Sequence, residues 1–250
     1  MASWTVDILM YHSISDRGGP TSIPLEIFST QMDALASSGL PVVDLDHVAA
    51  GDLPERSVVL TFDDAFADFE TNAHPVLERH GFPATVYVPT GNIGATESWN
   101  GALSPPRALM DWPTIRRLAA NGVTFGNHSV SHPDLTSLGP EELDAELTQS
   151  KSKLEHELGR QVRHFAPPYG KTSRRVQEVI AKEHETSVGT TLGQADELSD
   201  IFDLPRLEMF YFRSERAWRQ HLDGRGAAYL SLRRGLRAVR NTVSHPARRL

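Results

Sequence analysis

Short, almost uninterrupted apolar runs alternate along this chain with longer stretches in which apolar residues recur every three or four positions. The short runs are Val6–Tyr11, Ser57–Phe62, Ala84–Val88, Gly122–Phe125, Val162–Ala166, Glu185–Thr190 and Leu204–Met209, and they read as buried strands. The longer stretches, Pro24–Ser37, Asp68–His80, Asp111–Ala120, Pro140–Leu158 and Ser173–Glu183, read as helices. Gly39, Gly81, Gly122 and Gly159 follow four of them as C-terminal stops, and Pro113 sits in a first turn, where proline is tolerated. This rhythm predicts an α/β fold, a parallel sheet or barrel, and a barrel of roughly 200–250 residues would use nearly the whole chain. The stretch Pro89–Arg107, rich in Gly, Asn, Ser and Pro, reads as a long loop of the kind that carries function.

Composition narrows the chemistry. The 250 residues include no cysteine, which excludes disulfides, thiolate catalysis and Cys-ligated metals. Any metal must rest on His, Asp and Glu, and 11 His are present. The net charge of −7 divides unevenly: residues 206–250 carry +8, through arginine alone, and the first 205 carry −15. The acidic body argues against nucleic acid as a partner. No basic segment leading into an apolar one opens the chain, and no run approaches ~18 apolar residues, so cytoplasmic is the default expectation.

Residues capable of chemistry collect where strands end, the rim that carries function in parallel α/β folds. Ser57–Phe62 runs straight into Asp63-Asp64. One such acid could simply cap the next helix, but two adjacent carboxylates repel unless a cation or a basic partner compensates them. His128 and His132 follow the fourth strand, and on a helical turn that spacing lets both face one metal. His12 ends the first strand, where a single His is either structural or catalytic. Pro167-Pro168-Tyr169-Gly170 forms a stiff turn after the fifth strand, and Arg206 lies on the last.

Together, Thr61-Phe62-Asp63-Asp64-Ala65, His128-Ser129-Val130-Ser131-His132-Pro133 and Phe165-Ala166-Pro167-Pro168-Tyr169-Gly170 resemble the motifs of the NodB-like polysaccharide deacetylases, carbohydrate esterase family 4. Met10-Tyr11-His12-Ser13-Ile14 resembles the subgroup that de-N-acetylates poly-N-acetylglucosamine, in which the catalytic His lies near the N-terminus. The resemblance spans roughly residues 6–210. It implies a distorted (β/α)7-type barrel binding one divalent metal, usually zinc, with nickel, cobalt or iron in some members, and an N-acetylated amino sugar or polysaccharide as substrate, such as an exopolysaccharide. On that resemblance Asp64, His128 and His132 are metal ligands, Asp63 the general base for the attacking water, and His12 the general acid. On the same resemblance the backbone amide of Tyr169 would help hold the oxyanion.

Two positions depart from the family. Ala65 stands where glycine is usual, at a cost of about 1–2 kcal/mol if its φ is positive. Ala166 replaces an arginine that orients the catalytic Asp, and Arg206 is the candidate substitute, whereas Arg163 begins its strand and should lie at the far end of the barrel. These departures leave open a catalytically weak or inactive sugar-binding module, and the motifs also admit a metal hydrolase of an O-acetyl ester or a cyclic amide. The expected division is a barrel over residues 1–210 and a basic helical extension over 211–250. In the latter, Tyr229, Leu232, Leu236, Val239 and Val243 form one apolar stripe, amid Arg225, Arg233, Arg234, Arg237, Arg240, Arg248 and Arg249. Such a helix would dock on the barrel or a second subunit, or lie on an anionic membrane surface.

Overall fold

In the computed structural model, which describes residues 4–99 and 101–244, seven strands close into a parallel barrel: β1 (Thr5–Tyr11), β2 (Arg56–Phe62), β3 (Thr85–Val88), β4 (Thr124–Asn127), β5 (His164–Phe165), β6 (Thr186–Leu192) and β8 (Leu204–Glu208). Each pairs with the next, β6 pairs with β8, and β8 returns to β1, which also pairs with β2. A short β7 (Ala195–Asp196) runs antiparallel to the start of β1. From Val6 to Tyr11 and from Ser57 to Phe62 every residue is buried, as continuous apolar runs require when a strand is covered on both faces.

The helices α1 (Leu25–Ser38), α2 (Leu45–Ala50), α3 (His74–His80), α4 (Trp112–Ala120), α5 (Pro140–Leu158) and α6 (Arg174–Glu183) surround the barrel. The pattern-based bounds fit closely where caps are strong: Asp111 accepts the Thr114 amide and Ser173 the Val176 amide, so each precedes its helix. The fourth strand begins two residues later than expected, because Gly122 adopts φ 91° in the turn after α4. The stretch expected to be one helix over Asp68–His80 opens with a π-helical turn, Phe69–Ala73, before α3. The two-turn α2, capped by Asp44, is too short to show periodicity.

Beyond Glu208 the chain packs into the same core through Phe212, Trp218, Leu222 and Leu230. The Trp218 indole on α7 (Glu215–Leu222) donates to the Gln31 carbonyl at 2.9 Å. The final helix, α8 (Ala227–Ser244), lies against the barrel, and of the expected stripe Tyr229 meets it while Leu232 and Leu236 do not. Leu232 and Leu236 are 59% and 53% exposed. The barrel contacts come from Leu230, Tyr229 and arginines: Arg234 donates to the Leu192 carbonyl at 2.8 Å, and the Tyr229 hydroxyl donates to the Tyr211 carbonyl. A barrel rim presents carbonyl oxygens, and guanidinium groups satisfy these where leucine cannot. The side chains of Val239, Arg240 and Val243, together with Arg248 and Arg249, lie outside the described residues. Among those residues no helix is long and apolar enough to cross a membrane.

Candidate active site

Asp63 and Asp64 leave the end of β2 on a sharply turning backbone, with Asp64 at φ 73° and Ala65 at φ 54°. Ala65 thus occupies the left-handed region where glycine is usual. The turn sends the two neighbouring carboxylates to different partners.

Asp64 meets the two histidines. Its Oδ1 lies 3.4 Å from His128 Nε2 and 3.2 Å from His132 Nε2, and all three residues are buried. Donors that share one ion at ~2.0–2.2 Å, at angles between tetrahedral and octahedral, stand about 3.0–3.4 Å apart. Among the described residues Asp64 Oδ1 has no hydrogen-bond partner, a costly state for a buried carboxylate oxygen unless a cation occupies the cluster. The three residues therefore fit a divalent metal, and the donor set, two imidazoles and a carboxylate, suits zinc and its neighbours. Burial pushes the Asp64 carboxyl up, but the two imidazoles facing it outweigh this and hold Asp64 below the usual carboxylate range. Burial holds His132 below its ordinary value, whereas at His128 the opposing pull of Asp64 and Asp63 prevails.

The histidines are not on a helical turn, contrary to the spacing argument. They flank a tight loop in which Ser129 (φ 67°) and His132 (φ 58°) are left-handed. Side chains take the amides that a helix would bond to its own carbonyls. Asn127 Oδ1 accepts from the Ser129 amide (2.9 Å), Ser129 Oγ from the His132 amide (3.1 Å), and Glu146 Oε2 on α5 from the Val130 and Ser131 amides (2.8 and 2.9 Å). His128 Nδ1 donates to the Ala166 carbonyl at 2.6 Å, which turns Nε2 toward Asp64.

Asp63 meets Arg206. Nη1 reaches Oδ1 at 2.7 Å and Nη2 reaches Oδ2 at 2.8 Å, while Nε donates to the Gly189 carbonyl (2.7 Å) and Nη1 also to Thr61 Oγ1 (3.1 Å). Burial pushes the Asp63 carboxyl up, and the Arg206 guanidinium more than offsets this, so it lies below the ordinary value. Arg163 is at the opposite, exposed end, near Asp46 and Glu185. His12, one residue past β1, places Nε2 3.8 Å from Asp63 Oδ2. The loop that follows is tied down by Asp68, which accepts from Ser13 Oγ (2.5 Å) and from the Ile14 amide (2.9 Å).

Tyr169, at φ 60°, sets its ring edge-on to His132, centroids 4.7 Å apart. Gly170 after it has φ 63°, and a Cβ there would come within 2.2 Å of Thr190, so only glycine fits. Trp99, from the long loop, stacks on His132 at 4.3 Å. That loop is built around a buried pair: Arg107 donates through Nε and Nη2 to the two oxygens of Glu97 at 2.9 and 2.8 Å. Trp112 packs on the core beneath Lys153. The cleft so formed measures about 340 Å³, and it opens at the C-terminal ends of the strands.

All seven candidate residues therefore line or adjoin one cleft. Sequence reasoning missed the residues that hold them: Asn127, Glu146, Asp68 and the Glu97–Arg107 pair. None was picked out by spacing, because each acts on backbone amides or on a partner up to 86 residues away.

Comparison with known proteins agrees with this fold. The family model described as polysaccharide deacetylase matches residues 50–187. A chitooligosaccharide deacetylase of Azorhizobium caulinodans is 29% identical over 157 residues, which is 62% of this chain and 65% of that relative. The Streptococcus pyogenes deacetylase PplD, solved in complex with acetate, superposes with a TM-score of 0.72 at 25% identity, covering 82% of this chain and 92% of that one. IcaB from Ammonifex degensii shares the fold, with a TM-score of 0.74 at 22% identity over 89% and 97% of the two chains. A seven-stranded barrel of this kind, matched by the family model over more than half its length, places the chain in the polysaccharide deacetylase family.

Proposed function

We propose that the cleft hydrolyses the N-acyl group, in the first instance N-acetyl, of an amino sugar or its polysaccharide, in the manner of the poly-N-acetylglucosamine de-N-acetylases with their N-terminal imidazole. One observation carries the reading. A carboxylate gripped by a buried guanidinium stands beside the Asp64–His128–His132 cluster, with the His12 imidazole 3.8 Å away.

A divalent ion held by Asp64, His128 and His132 would supply the Lewis acidity that a poorly electrophilic amide needs. The chain's own residues do the rest. Asp63 accepts the proton of the attacking water, and Arg206 keeps it ionised and correctly turned. His12 delivers a proton to the nitrogen as the C–N bond breaks, so that a free amine leaves and acetate remains. The backbone amide of Tyr169 is assigned to the carbonyl oxygen, where one such donor typically contributes about 10²–10³ in rate. Trp99 and the Tyr169 ring wall the cleft with flat apolar surface suited to a sugar face.

The test is acetate release from N-acetylglucosamine oligomers by protein supplied with zinc, cobalt or nickel. Acetate and free amine should appear in equal amounts, and both should be lost with a chelator and in Asp63→Asn. Release from O-acetyl esters alone, or from no amino sugar at all, overturns the proposal.

A further inference from the structure

The last helix reaches the catalytic cleft. Arg237 of α8 lines the cleft beside Glu208 at the end of β8. The helix is fixed there. Besides the Arg234 and Tyr229 hydrogen bonds, the Arg233 guanidinium lies 5.2 Å from the Tyr211 ring and 5.1 Å from the Tyr229 ring. Arg237 is thus presented from a seated element.

Its hydrogen-bonding capacity is not used up. Arg237 Nη1 forms an ion pair with Glu208 Oε2 at 3.8 Å, beyond hydrogen-bond range, and among the described residues this buried atom has no hydrogen-bond acceptor. The neighbouring guanidinium groups differ: each nitrogen of Arg206 donates to Asp63, Thr61 or Gly189, and each of Arg107 to Glu97, Thr21 or Ser22. A buried guanidinium N–H without an acceptor is unfavourable, and the ligands that satisfy such a fork best are carboxylate and phosphate.

We propose that Arg237 is a specificity-determining residue that receives an anionic group, carboxylate or phosphate, carried by the N-acetylated sugar. The helix that supplies it lies outside residues 50–187, the stretch matched by the family model. This inference rests on the deacetylase reading for the sugar that fills the rest of the cleft.

The experiment compares binding of three matched oligomers by calorimetry: N-acetylglucosamine trimer, the same length containing N-acetylmuramic acid, and the same length bearing a phosphate ester. Wild-type protein should bind at least one anionic oligomer about tenfold more tightly than the neutral one. In Arg237→Gln that ratio should fall to near one, and the arm that loses its advantage identifies carboxylate or phosphate as the group recognised. If the glutamine variant does not melt cooperatively, Arg237→Lys, which keeps the charge without the fork, should give an intermediate ratio. No preference for either anion in the wild type, or a ratio that persists in the variants, overturns the inference. Acetate release is followed in the same samples. Anion preference through Arg237 without any acetate release would overturn the deacetylase reading instead.

Discussion

Arg206 grips Asp63 across the one intervening strand, β1, through two parallel hydrogen bonds of 2.7 and 2.8 Å between residues 143 positions apart. Both side chains are buried, so the fork fixes the direction of the carboxylate as well as its charge. Lysine would keep the charge and lose the second bond. Arg206→Lys should therefore lower kcat about 10- to 100-fold with metal content intact. Arg206→Ala, which strands a buried carboxylate, should cost about 3–5 kcal/mol in denaturant unfolding. A lysine variant with full kcat would show that Asp63 does not need the fork.

The Asp64 cluster predicts metal-linked stability. An ion that binds only the folded chain, at a hundredfold its Kd, adds about 2.7 kcal/mol. For a domain of this size that raises Tm by roughly 5–10 °C. Zinc should give such a shift in the wild type and little or none in His132→Gln, with bound metal measured by elemental analysis. Equal shifts in the two proteins would place the metal elsewhere.

The long loop owes its shape to one ion pair. Glu97 Oε1 also accepts the amides of Leu103 and Arg107, at 3.2 and 2.9 Å. Removing it leaves Arg107 buried and two amides unsatisfied. Glu97→Ala should cost about 3–5 kcal/mol, open residues 89–107 to limited proteolysis and release Trp99 from His132. Substrate KM should rise more than kcat falls. Unchanged protease resistance would count against the pair as the organiser of the loop.

How much of this was legible in the sequence depends on whether the cause was local. The strand ends carrying His12, Asp63-Asp64 and the His128–His132 pair were readable, because buried strands are continuous apolar runs and the motif residues follow them directly. Arg206 could be nominated for Asp63 only through the gap left by Ala166, since nothing near residue 206 points to residue 63. The conformation of the His128–His132 loop was misread as helical, because the acceptors that unwind it, Asn127 Oδ1 and Glu146 Oε2, are set by packing rather than by spacing. The α8 stripe meets the barrel through Tyr229 and not through Leu232 or Leu236, for a similar reason. Its leucines form the more apolar part of the stripe, but the helix meets backbone carbonyls of Tyr211 and Leu192, which Tyr229 and Arg234 satisfy.

His184 gives the fold a pH dependence of defined sign. It is buried at the end of α6, where its Nε2 accepts from the Asn127 amide group at 3.1 Å. Burial, with Lys151 and His164 nearby, pushes it from 6.5 down to about 3. Between those values the unfolded chain binds a proton that the folded chain refuses. Stability is therefore complete above pH 6.5 and declines as pH falls toward 3. At pH 5 the loss from this one group is about 2 kcal/mol. Burial lowers His164 as well, which adds to the slope in the same direction. Glutamine at position 184 can accept the Asn127 bond and cannot take up a proton. His184→Gln should thus lose less stability than the wild type between pH 7 and pH 5, by about 2 kcal/mol in urea titrations at the two values. Because Asn127 also holds the Ser129 amide, His184 protonation should loosen the loop that carries His128 and His132. Equal pH slopes in the two proteins would remove His184 from this account and leave the acid sensitivity to other groups.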